Sequence, residues 1–297
     1  MNFEIAESLD AALAAVAAGA RPIAGGTDLV VRARQGAEPL PASVVAIDRL
    51  AELCGIETSD TSVRIGAIVT HAELASNEVV VDTLTGLADA AALVGSPSTR
   101  NVGTLGGNVM NASPAMDTGA PLLVLDARVE LRSATGTRTI RLDELWSRPG
   151  VTTAAHDELC AAIVVPVPAP LSGSAYVRLE YRRAMEIAVD GAAASVTLDT
   201  DGSVARGRVA LSAVAPTIIE VTDLDLSGLS VDAAAERAAE AARHAATPIS
   251  DLRAGEAYRR HTVGVMAARA VRAAARRAAG EHIAVPVNRS LGIGASR

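Results

Sequence analysis

At 297 residues, 49% hydrophobic and 21% charged, the chain has the make-up of a folded protein with room for two modest domains, which excludes a disordered polypeptide. A formal net charge of −7 argues against a general nucleic-acid binder, and 2% aromatic residues leave too little stacking surface for a single-strand platform. All 27 cationic residues are arginine, so a P-loop lysine, a Schiff-base lysine and a lysine general base are excluded, and the two cysteines, Cys54 and Cys160, are too few for a cysteine-ligated iron–sulfur cluster.

No apolar run reaches the roughly 18 to 20 residues of a membrane-spanning helix, and the first residues are acidic where a secretory leader is basic. The expectation is a cytoplasmic protein with no membrane span. The five histidines, His71, His156, His244, His261 and His282, lack metal-ligand spacing and read as solvated surface.

In chain order, an amphipathic helix is predicted over 8–18, with Leu9, Ala12, Leu13 and Val16 on one face and Gly19 as its stop. A brief strand over 21–24 runs into the glycine loop Ala24-Gly25-Gly26-Thr27-Asp28-Leu29, and Thr27 or Asp28 caps a helix over 29–35. Strands over 43–47 and 63–69 follow, and Thr70 with Glu73 makes a capping box that opens another helix. An Ala/Leu-rich helix over 84–94 then delivers the chain to a polar stretch, 103–117, that carries Gly103, Gly106, Gly107, Asn108, Ser113 and Asp117. The apolar segment 121–131 reads as a strand, paired through a turn at Thr135-Gly136 with 138–142, and 158–167 reads as another. Pro, Gly and Ser across 168–174 mark a domain boundary. Beyond it, 175–182, 192–198 and 206–214 form a three-stranded antiparallel sheet with a hairpin at Asp201-Gly202, and helices follow over 231–245 and 258–279. Arg269, Arg272, Arg276 and Arg277 read as the solvated face of the last helix.

The two glycine stretches carry the chemistry. Glycine lets the main chain come close to a bulky group and turn several N–H donors toward an anion, and a helix N-terminus adds its dipole. One Gly-Gly pair is most simply a turn; two loops of like composition, each after an apolar run, fit the diphosphate of one dinucleotide-like cofactor. Neither loop is GxGxxG, so the Rossmann fingerprint is absent, and no GxSxG motif or Ser/His/Asp set points to a hydrolase.

Residues 24–29, together with Thr104-Leu105-Gly106-Gly107-Asn108 and Ala112-Ser113-Pro114-Ala115-Met116-Asp117, closely resemble the FAD-binding medium subunit of the molybdenum hydroxylases. That family includes the flavoproteins of xanthine dehydrogenase, carbon monoxide dehydrogenase, 4-hydroxybenzoyl-CoA reductase and the nicotine-pathway dehydrogenases. The likeness continues through 176–196 and through Asp251-Leu252-Arg253 and Glu256-Ala257-Tyr258-Arg259. It implies an α+β chain: an FAD-binding domain of the vanillyl-alcohol-oxidase (PCMH) type over 1–170, then over 175–285 a C-terminal domain like that of the CO dehydrogenase flavoprotein, a three-stranded antiparallel sheet with a helical bundle.

The resemblance further implies a cofactor site. FAD would lie against Ile23, Ala24, Gly25, Gly26, Thr27, Asp28 and Leu29 and against Thr104, Leu105, Gly106, Gly107 and Asn108, with the backbone amides of 24–28 and 104–107 on its diphosphate. Asp117 falls near the ribityl and phosphate region, Cys160 lines the isoalloxazine, and Arg178 contacts the cofactor where several members carry Lys, a change that keeps the charge and alters the donor geometry. The implied mechanism is an electron relay: a large molybdopterin subunit hydroxylates substrate, a small subunit with two 2Fe–2S clusters passes electrons on, and FAD on this chain hands them to an external acceptor. No side chain here need act as a general acid or base. The implied assembly is a heteromeric complex, such as a dimer of heterotrimers; the alternatives are a stand-alone FAD-dependent oxidoreductase and a cofactor-free scaffold of the same fold.

Overall fold

The computed structural model describes residues 2–293. Its first layer is a small parallel sheet of β1 (Asn2–Ile5), β2 (Arg21–Ile23) and β3 (Ser43–Ala46), with β3 in the middle. Helix α1 (Leu9–Ala17) packs on it through Leu9, Ala12, Leu13 and Val16, the stripe its spacing predicts, and starts where the Ser8 hydroxyl accepts from the Ala11 amide at 3.2 Å. Helix α2 (Leu29–Arg34), between β2 and β3, buries none of its side chains.

Strands β4 (Ile56–Thr58) and β5 (Ser62–Gly66) open a second, antiparallel sheet. Six short helices follow: α3 (His71–Ser76), α4 (Glu78–Thr83), α5 (Thr85–Leu93), α6 (Pro97–Arg100), α7 (Leu105–Met110) and α8 (Gly119–Val124). The chain then returns as β6 (Arg128–Ser133) and β7 (Gly136–Arg141), a turn of helix α9 (Leu142–Leu145), the ribbon β8 (Trp146–Arg148) with β9 (Val151–Thr152), and β10 (Leu159–Pro166). The sheet order is β4-β5-β10-β6-β7, so the last strand to be made fills the centre. The Thr70–Glu73 capping box forms as expected, the Thr70 amide reaching the Glu73 carboxylate at 2.7 Å. One strand does not: 121–131 divides into α8, all six residues of which are buried, and β6. A helix apolar on every face has no period to betray it, and Pro121 fits the first turn because no amide is needed there.

After the linker, β11 (Ser172–Leu179), β12 (Asp190–Leu198) and β13 (Val204–Ser212) make the expected antiparallel meander, and the short β14 (Ile219–Glu220) extends it to four strands in the order β11-β12-β13-β14. Strand β11 takes in Ser172, Gly173 and Ser174, which the composition assigned to the linker. Helices α10 (Val231–Ala245) and α11 (Glu256–Ala278) cover one face, their small Ala side chains meeting Val177, Ala192, Val196 and Leu211, and α12 (Val287–Ser290) closes the end of β11.

The other face of this sheet joins the N-terminal core: Tyr176, Ala193, Ala210 and Ile218 pack in one cluster with Leu87, Leu105 and Leu122. A buried ion pair crosses the same boundary. Asp89 of α5 accepts from Arg277 of α11 at 2.6 and 3.0 Å, and from the amides of Tyr176 and Val287 at 3.2 and 2.8 Å. Arg277, predicted to be solvated, therefore has a side chain only 6% exposed, because a buried carboxylate 188 positions earlier in the chain needs its charge.

Candidate functional site

The two glycine loops meet. Gly25 lies so close to the start of the second stretch that a Cβ there would stand 1.8 Å from the Val102 carbonyl oxygen, and a Cβ on Gly103 would lie 3.4 Å from the Thr27 hydroxyl. Gly26 follows with φ +66°, turning the chain into α2. None of the backbone amides of Ala24, Gly25, Gly26, Thr27, Asp28 and Leu29 finds an acceptor among the described residues. Six consecutive donors with no internal partner, on a partly buried loop, form a cradle for an anion. Asp28 occupies the N-cap of α2, but its side chain makes no capping bond.

The second loop is built differently. Its amides are committed inside the fold: Leu105 to the Val69 carbonyl at 2.9 Å, Gly106 to that of Ala67 at 2.8 Å, Gly107 to the Thr104 hydroxyl at 3.1 Å and Asn108 to the Thr104 carbonyl at 3.0 Å. Gly106 is required because a Cβ would come within 2.7 Å of Ala67, so this glycine serves close packing of α7 on the end of β5. What this loop offers a ligand is the Thr104 amide, the exposed backbone at Gly107 and the Asn108 side-chain amide, whose oxygen accepts from Thr118 at 2.6 Å and leaves its nitrogen as donor.

Asp117 and Arg178 are both buried, and they meet each other. The Arg178 guanidinium donates to Asp117 at 2.7 Å and to Glu180 at 2.8 and 3.0 Å, with a side chain 0% exposed. Asp117 takes a second bond from the Tyr176 hydroxyl at 2.9 Å, and Glu180 one from Arg289 at 3.0 Å. Burial and the neighbouring Asp117 charge push the Tyr176 phenol well above its ordinary range, so it remains a donor. This network ties the stretch ending at Asp117 to β11. Arg178, expected to touch the cofactor, spends its charge on two carboxylates and is fully buried. Cys160 is likewise enclosed, at a bulge of β10 opposite Leu131, in the main core. Burial pushes its thiol up to about 12, which makes it an apolar wall and no nucleophile.

One residue at the site went unrecognised in the sequence. His71, read as surface, is 2% exposed and opens α3 immediately beside the loops: its amide donates to the Gly103 carbonyl at 3.0 Å, and its Cδ2 lies 3.4 Å from the Cβ position of Gly103. Burial, helped by the Arg100 charge, lowers its pKa to about 4, so the imidazole is neutral. The capping box at Thr70 was the available signal, because it fixes His71 as the first helical residue, next to whatever lies at that helix end.

A cradle of free amides flanked by a second glycine loop, with no acid–base set beside it among the described residues, is the make-up of a protein that holds a dinucleotide cofactor. The chain belongs to the family of FAD-binding domains of molybdopterin dehydrogenases, which matches residues 1–168, and residues 175–274 match the C-terminal domain of the CO dehydrogenase flavoprotein. It is 31% identical over 267 residues to a xanthine dehydrogenase FAD-binding subunit of Escherichia coli, covering 88% of this chain and 91% of that one. It is 33% identical over 287 residues to subunit alpha of the 6-hydroxypseudooxynicotine dehydrogenase complex of Paenarthrobacter nicotinovorans, covering 93% and 95%. The fold matches a chain of the carbon monoxide dehydrogenase of Hydrogenophaga pseudoflava, solved in a form that lacks the Mo-pyranopterin moiety of its cofactor, with a TM-score of 0.88 at 30% identity over 93% of this chain and 98% of that one. The α+β architecture, the FAD-binding domain and the oxidoreductase class are those expected. Among the described residues no helix is long and apolar enough to cross a membrane.

Proposed function

We propose that this chain is the flavoprotein subunit of a heteromeric molybdenum hydroxylase, assembled with a large molybdopterin-binding subunit and a small 2Fe–2S subunit, and that it passes electrons from the clusters to an external acceptor. The observation that carries the reading is the run of six unpartnered amides from Ala24 to Leu29, held against the second glycine loop. The residues fit the cofactor: the cradle takes a diphosphate, Thr104, Gly107 and Asn108 border it, and the buried Asp117–Arg178–Glu180 network holds the 112–117 segment rigid beside it. Bound there, FAD supplies the exchange between one-electron clusters and a two-electron acceptor, chemistry that no side chain of this protein can provide. The protein's own work is to bind, orient and insulate.

Two measurements test this. The chain expressed alone and mixed with FAD should quench flavin fluorescence stoichiometrically and show protein-bound flavin absorption bands. Purified from its native host, it should bring with it a subunit carrying iron and a larger one carrying molybdenum. A chain that takes up no FAD rules the reading out, and one that binds FAD but purifies without metal-bearing partners is a stand-alone flavoprotein instead.

A further inference from the structure

Arg100, the last residue of α6, has no carboxylate partner among the described residues. One guanidinium nitrogen donates to the Val94 carbonyl at 2.9 Å, and the other donors have no acceptor. Two further arginines bear on it, Arg178 and Arg289, which between them are matched by Asp117 and Glu180. Three guanidiniums against two carboxylates leave one net positive charge, and the unmatched cation is Arg100. A protein with a surplus of acidic residues has left this arginine bare beside the loops.

His71 feels that charge, and its ring lies against Gly103, where the two loops meet. The Thr99 carbonyl, one residue before Arg100, accepts from Gly103 at 2.7 Å, and the Gly103 carbonyl accepts from His71 at 3.0 Å, so the end of α6, the start of the second glycine stretch and α3 are stitched together. Nδ1 of His71 is buried with no partner, whereas Nε2 retains access to the surface. An N–H sealed away without an acceptor costs more than a lone pair sealed away without a donor, so the single proton of the neutral ring belongs on Nε2, next to Cδ2 and on the side of Gly103 and Thr27.

We propose that the Arg100 guanidinium and the Nε2–H of His71 are the side-chain half of the diphosphate site, a fixed cation and a neutral donor that complete the amide cradle of residues 24–29. This rests on the reading of the chain as an FAD binder. The six backbone amides carry no net charge and hold an anion by dipoles; Arg100 adds a charge that cancels part of the ligand's. The assignment also accounts for two features that are otherwise costs: an unpaired arginine among arginines, and a buried histidine with an orphaned nitrogen.

The test uses the full chain, titrated with FAD and, separately, with riboflavin, which has no phosphate, at two salt concentrations. Arg100→Gln should weaken FAD about tenfold or more at low salt and flatten the salt dependence, while riboflavin binding stays as in the parent. Arg100→Lys should recover most of the loss. His71→Gln, whose side-chain nitrogen falls where Nε2 was, should bind FAD more tightly than His71→Asn, which imitates Nδ1. Nitrogen-15 spectra of the parent should place the imidazole proton on Nε2 and show that resonance move when FAD is added, a readout that needs no variant to fold. FAD affinity and salt slope unchanged in a folded Arg100→Gln, or a proton found on Nδ1, overturns the assignment but leaves the flavoprotein reading standing. Failure of the parent itself to bind FAD overturns both.

Discussion

Substituting Gly25→Ala tests the contact on which the site is built. The added methyl carbon would stand 1.8 Å from the Val102 oxygen, 2.5 Å from its carbonyl carbon and 3.1 Å from the Gly103 nitrogen. All three are backbone atoms, so no rotamer change relieves the clash, and the shortest contact must open to 3.0 Å or more. Parting two backbones by that much is an overpacking event of about 2 to 3 kcal/mol, at the upper end of the usual range because nothing flexible yields. In a protein of this size that corresponds to roughly 3–5 °C of melting temperature. It also separates the cradle from the second loop, so FAD affinity should fall about 100-fold or more. The control is Gly107→Ala, where a Cβ meets only the Thr104 hydroxyl at 2.9 Å and the site is exposed; this variant should melt within about 2 °C of the parent, since helix propensity and the disturbed cap offset one another. Thermal denaturation followed by circular dichroism and fluorescence titration with FAD measure both quantities. A Gly25→Ala protein that melts with the parent and binds FAD within twofold of it would show that the loops are not locked together as described.

Removing Arg277 leaves Asp89 charged and buried, so Arg277→Met should destabilise the fold by about 3 to 5 kcal/mol, read as a drop in the urea midpoint; a change under 1 kcal/mol would contradict the pair's role at the domain boundary. Asp190 is enclosed, one carboxylate oxygen lacks a partner, and burial raises its pKa to about 7 against an ordinary 3.8. The folded state thus binds the extra proton, and this group's contribution to stability is full below about pH 4 and lost as pH rises through 7. Asp190→Asn should therefore gain on the parent between pH 5 and 8, and an unchanged difference across that range would refute the assignment. His71 acts in the opposite sense: its lowered pKa means that stability is lost as pH falls below about 6.5 toward 4, a loss that His71→Gln should abolish in acid melts. Of the two thiols, exposed Cys54 should react with a disulfide reagent in the native protein and Cys160 only after unfolding; two fast thiols would contradict the enclosure of Cys160.

What could be read in the amino-acid order was what short-range chemistry settles. The Thr70–Glu73 box, the Asp201-Gly202 hairpin and the stripe of α1 each depend on residues within a few positions of one another, and each stands as predicted. The two glycine loops were legible for the same reason, because the need for glycine and a polar flank is local, and their joint resemblance to one family supplied the fold and FAD.

Tertiary structure decided everything that depends on which distant groups become neighbours. It turned 121–124 into a helix, since a segment buried on all sides carries no period for sequence to display. It drew Arg277 to Asp89 across 188 positions and Arg178 to Asp117 across 61, taking one arginine out of the solvated face and setting Arg178 in a buried ion pair. It also divided the labour between two loops that look alike as sequence: the amides of 24–29 have no acceptor among the described residues, and those of 105–108 are spent on Val69, Ala67 and Thr104. Composition marks where a backbone can bind an anion; only the packed chain determines which of its donors are still available.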